Sequence, residues 1–107
     1  MGTQTQVGIL RSGDGSLWDV YGRDSYTCIH QAKTVRGALH SAKLALTDEP
    51  AWRVFIGQFE GHTYPIIVKS LYHKPRLIPG IETSGPCVAK GALDKVWPIF
   101  ESYVRML

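Results

Sequence analysis

The chain of 107 residues predicts an α+β fold: a two-layer sandwich in βββ-α-ββ-α order, with an antiparallel sheet and two helices packed on one face. Three observations predict it. Runs of period-two alternation occur near the start and in the middle of the chain, and each is followed by a stretch with apolar residues at three- and four-residue steps. Short turn signals separate the alternating runs, which makes sequential strands antiparallel neighbours.

Residues 4–10 alternate Gln4, Gln6 and Gly8 against Thr5, Val7 and Ile9, as a strand does. Ser12-Gly13-Asp14-Gly15-Ser16 is a turn, because Gly supplies positive φ and Asp bonds its own backbone. Residues 17–21 alternate again, and Gly22-Arg23-Asp24 breaks them from a third strand predicted over 26–30. Thr34 then caps a helix whose Val35, Ala38, Leu39, Ala42, Ala45 and Leu46 face one way, with Arg36, His40, Lys43 and Thr47 mostly on the other side. Asp48-Glu49-Pro50 ends it. Gly37 within it costs about 1 kcal/mol relative to Ala unless a strand passes closely.

Residues 52–59 and 63–71 form a hairpin about Glu60-Gly61. Pro65 cannot donate to a ladder, which places it at a strand start or on an edge strand that is open to dimer pairing. Residues 72–86, with Pro75, Pro79, Gly80, Gly85 and Pro86, read as a long loop. Ser84 is the expected cap of the last helix and Pro86 lies in its first turn. Its stripe is Ala89, Ala92, Leu93, Val96, Phe100, Tyr103, Val104 and Leu107, with a kink or a restart capped by Asp94 at Pro98.

Composition bounds the function. Hydrophobic residues at 44% and charged residues at 20% describe one soluble globular domain, and no apolar run approaches the ~18 residues of a bilayer span. The N-terminal Met1-Gly2-Thr3-Gln4-Thr5-Gln6 has no secretory or myristoylation pattern, and the chain contains no Asn to glycosylate. The expectation is a cytoplasmic protein with no membrane partner and no cofactor. Cys28 and Cys87 are too few for a disulfide framework and read as buried free thiols.

Chemistry-bearing clusters are sparse. Cys87 after Gly85-Pro86 sits at the predicted helix N-terminus, where a thiol pKa falls, and His30, His62 or His73 are candidate bases; a structural thiol is the favoured reading. Cys28 and His30 at i, i+2 offer one half of a metal site with His62 or Cys87, without the second short-spaced pair that zinc requires. Asp14, Asp19 and Asp24 occupy a turn, a strand and a turn, so no paired-carboxylate centre forms. Gly13-Asp14-Gly15 lacks the Lys and the following helix of a phosphate loop. Trp52 is expected in the core, whereas Trp97 with Tyr103 and Arg105 has the composition of a binding hot spot.

The formal charge of +3 is unevenly spread. In residues 1–50, Arg11, Arg23, Lys33, Arg36 and Lys43 cancel Asp14, Asp19, Asp24, Asp48 and Glu49, so the excess lies in the second half. Residues 62–81 hold Lys69, Lys74 and Arg76 with no carboxylate. Here Lys69, Tyr72, His73, Lys74 and Arg76 form a basic-aromatic segment suited to an acidic protein patch or to phosphates and bases, extended by Arg36 and Lys43 if the first helix lies beside it. The expected function is a small non-enzymatic protein-binding module, of the type phages and mobile elements direct at a larger host nucleic-acid-handling complex (anti-defence, anti-CRISPR type). Direct nucleic-acid binding by the same loop is the alternative, and a small cysteine/histidine enzyme the third reading.

Overall fold

A computed structural model describes residues 2–22, 28–59, 62–69 and 86–107. The elements are β1 (Gln6–Arg11), β2 (Trp18–Gly22), β3 (His30–Ala32), α1 (Val35–Ala45), β4 (Trp52–Phe59), β5 (His62–Lys69), β6 (Cys87–Gly91) and α2 (Leu93–Val104). The six strands form one antiparallel sheet in the order β3-β2-β1-β5-β4-β6. The α+β class stands, with one strand more than the sequence suggested.

The ladders decide which side chains meet the helices. Directly opposed residues share a face, so Val7 with Ile67, Ile67 with Val54, Ile9 with Val20 and Trp18 with Ala32 all point the same way. Onto this face α1 brings Ala38, Leu39 and Ala42, and α2 brings Val96, Phe100 and Val104, in one continuous core. Helix α1 lies over β1, β2 and β3, and α2 over β4, β5 and β6, so each helix covers half of the sheet. Trp52, at 0% exposure, is a core residue as its alternation implied. The opposite face has its own buried patch, in which Tyr64 and Ile66 pack with Leu10 and Tyr21.

The first hairpin closes as its composition dictates. Gly15 adopts a φ of 75°. Asp14 accepts from the Ser12 hydroxyl at 2.7 Å, the Ser16 hydroxyl at 2.7 Å and the Ser16 amide at 3.0 Å. Arg11 donates from Nε and Nη2 to Gly15 O and from Nη1 to Leu107 O, and its guanidinium sits 3.9 Å from the Trp18 ring centroid. Thr34 caps α1 by accepting from the Gly37 amide at 3.0 Å. A Cβ on Gly37 would lie 3.1 Å from that same Oγ1 and 3.5 Å from Ala32 Cβ, which explains the glycine inside the helix.

Four expectations are corrected. The third strand is His30–Ala32, later than residues 26–30, of which 26 and 27 lie outside the described residues. The Pro65-bearing strand is interior, between β1 and β4; the edges are β3 and β6, and the dimer expectation loses that edge. The reason is directional. Lys69 donates its amide to Thr5 O on the β1 side, and amide direction alternates along a strand, so the Pro65 nitrogen also faces β1. Pairing with β1 has already ended at Gly8–Ile66, so no ladder bond is lost there.

The last helix begins at Leu93, because Cys87–Gly91 pairs with β4 as an edge strand, with a bulge between Val54 and Phe55. Its cap position is Ala92, without a side-chain bond; Asp94 lies in the first turn, and the helix runs through Pro98. The expected cap, Ser84, lies outside the described residues.

Candidate partner-binding face

Of the residues singled out for partner binding, Arg36 and Lys43 are placed together. They are seven residues apart on α1, which brings them onto one helix face two turns and about 10 Å apart. His40 lies between them on that face, and exposed Lys33 stands two residues before the helix begins. All four are exposed. Helix α1 contains no carboxylate, and none of the four is ion-paired among the described residues. The Lys43 ammonium lies 5.5 Å from the centroid of the Trp97 ring on α2, so the seam between the helices carries a cation over an aromatic face. Leu44, next to Lys43, is 59% exposed.

Lys69 is placed differently. It ends β5 opposite Trp52, and its ammonium pairs with Glu49 at 3.0 Å. Its charge is therefore met within the chain by Glu49, and it stands apart from the α1 face. Tyr72, His73, Lys74 and Arg76 lie outside the described residues. The expected joining of the loop to α1 therefore lies outside the described residues.

The alternative constellations separate in space. Cys28 precedes β3 and Cys87 opens β6, at opposite edges of the sheet. Five strand-to-strand steps put them roughly 24 Å apart. That distance rules out a disulfide between them and keeps His30 from acting as a base for Cys87. Cys87 is also not at a helix N-terminus: it is an exposed edge-strand residue whose thiol donates to Ala89 O at 3.3 Å. Cys28 is half-buried, and burial, then the Asp19 charge, pushes its thiol pKa up. No group of three or more His, Cys, Asp and Glu among the described residues is placed to hold a metal ion.

The anticipated Trp97–Tyr103–Arg105 hot spot is dispersed. Trp97 is partly buried against Phe100, with ring centroids 5.1 Å apart, and Arg105 is paired with Glu101 at 3.2 Å. Beside Tyr103 lies a cleft of about 50 Å³, lined by Ile56, Tyr64, Pro65, Tyr103, Met106 and Leu107. Ligand pockets run to several hundred Å³, so this cleft has room for little more than a water or two.

The α1 stripe could have been read more fully from sequence. Lys33, Arg36, His40 and Lys43 already repeat at three- and four-residue steps, a signal less conspicuous than the acid-free run of residues 62–81. Comparison of this chain with protein-family models, with curated proteins and with solved structures finds no match. No helix among the described residues is long and apolar enough to cross a membrane.

Proposed function

We propose that this chain is a non-enzymatic protein-binding module that presents the outer face of α1 to an acidic surface of a larger protein complex. The observation that carries this reading is the exposed, carboxylate-free row of Lys33, Arg36, His40 and Lys43 beside exposed Leu44. An interface needs an apolar or aromatic anchor within its polar surround, and Arg is among the side chains that most often supply binding energy. The α1 face offers both. A basic helix face of this kind complements an acidic patch on a partner, and a host nucleic-acid-handling complex that carries such a patch is the partner class proposed. A cytoplasmic inhibitor of such a complex, of the anti-CRISPR type that phages and mobile elements carry, is the specific form proposed.

The test is affinity capture from a bacterial lysate with the wild-type chain and with the charge-reversed pair R36E/K43E. A partner recovered by the wild type and lost by the variant supports the reading. Recovery that is equal for both overturns it.

Direct nucleic-acid binding is the second reading, favoured by the same absence of any acidic side chain along the helix. From Lys33 to Lys43 the row spans about 15 Å, enough to meet two or three phosphates. It requires affinity that falls steeply with added salt, with a slope reduced in K43Q. A mobility-shift titration at low salt that gives no complex with single- or double-stranded probes removes it.

A further inference from the structure

On the sheet face turned away from the helices, Arg53 of β4 is half-buried, with part of its guanidinium shielded. Its Nε and Nη2 are shielded from solvent and have no hydrogen-bond acceptor among the described residues. These two nitrogens form one edge of the guanidinium, the edge that grips an oxyanion with two parallel N–H bonds. The Arg53 Cζ lies over the Phe55 ring, 5.0 Å from its centroid. Directly across the ladder on β6 stands Lys90, on the same face and within one cross-strand spacing. Neither cation is ion-paired among the described residues.

A shielded N–H edge without an acceptor is unfavourable, and among the described residues none meets this one. We propose that Arg53 and Lys90 form a binding site for a phosphate group, held bidentately by Arg53 Nε and Nη2 and neutralised by Lys90. Two cations with no carboxylate between them match a dianion better than a carboxylate. This site lies on the opposite side of the sheet from α1, so it is independent of the partner-binding face.

The test is a nuclear magnetic resonance titration of the whole chain with inorganic phosphate at low ionic strength, run in parallel with acetate. The expected result is a saturable shift of the backbone amides of residues 53–55 and 87–91, at lower concentrations for phosphate than for acetate. R53K, which keeps the charge and loses the fork, weakens binding about tenfold, as loss of a charge-assisted pair implies. K90Q weakens it by a smaller factor. Glycerol 3-phosphate identifies the source: tighter binding than inorganic phosphate means the group arrives on a larger molecule, and equal or weaker binding means the free ion. R53Q tests the same point, and R53K and K90Q suffice if that variant fails to fold. Absence of a saturable shift, a preference for acetate, or wild-type affinity in R53K overturns the proposal.

Discussion

The ring of Tyr64 lies across Gly57, its partner in the β4–β5 ladder. A Cβ placed on Gly57 would stand 2.5 Å from Tyr64 Cζ and 2.7 Å from its hydroxyl oxygen. Tyr64 is 1% exposed, and its buried hydroxyl has no hydrogen-bond partner among the described residues. The glycine therefore supplies the space that allows a large ring to lie flat on the sheet.

Gly57→Ala is expected to destabilise the fold by about 1–3 kcal/mol, because the ring must leave its position or the strands must part. Urea denaturation measures this. An Ala variant as stable as the wild type would show that the ring moves without cost. Tyr64→Phe removes an unsatisfied polar atom and keeps the ring, so it is expected to leave stability unchanged or raise it by about 1 kcal/mol.

Alkaline pH acts through the same side chain. Burial pushes the Tyr64 pKa up from its ordinary 10.0. The unfolded chain releases this proton first, so the stability linked to it is complete below pH 10 and declines as pH rises above that value. Denaturation midpoints from pH 9 upward should fall more steeply for the wild type than for Tyr64→Phe.

Acid pH acts on the first hairpin. The hydroxyl and amide of Ser16 and the hydroxyl of Ser12 hold the Asp14 pKa at about 2, below the ordinary 3.8. A lowered carboxyl pKa stabilises the fold above the unfolded value, and this contribution is lost as pH falls from 3.8 towards 2. The stability difference between wild type and Asp14→Ala should shrink across that interval. A difference that stays constant with pH would show that the turn does not depend on the charge.

Thr34→Ala should cost about 1 kcal/mol through loss of the α1 cap, while Thr34→Ser restores most of it. Helical content followed through thermal unfolding reads both. Equal melting of Thr34→Ala and the wild type would contradict the capping bond at Gly37.

Local chemistry made some elements readable in advance and left others hidden. Residues 52–59 were placed without error because alternation, a flanking Pro50 and a turn at Glu60-Gly61 all agree. The α1 cap was equally plain in Thr34. Strand β6 was missed because Ala89, Ala92, Leu93 and Val96 continue helical spacing across its end, and five residues cannot distinguish an edge strand from a first helical turn. Pro65 misled because a ladder has two sides, and only the pairing partners decide which side a missing amide faces. Arg53 gave no signal at all, since its significance lies in Phe55 beneath it and Lys90 across from it, and the latter is 37 positions away in sequence.

The placement of the two thiols has a practical consequence. Cys28 and Cys87 bracket the sheet from one rim to the other, so probes attached to the native chain would sense its full width without any engineered residue. A spin-label or fluorescence distance near 24 Å would report that all the intervening strands are paired. Lengthening of that distance on warming, before the helices melt, would identify the outermost strands as the first to peel away.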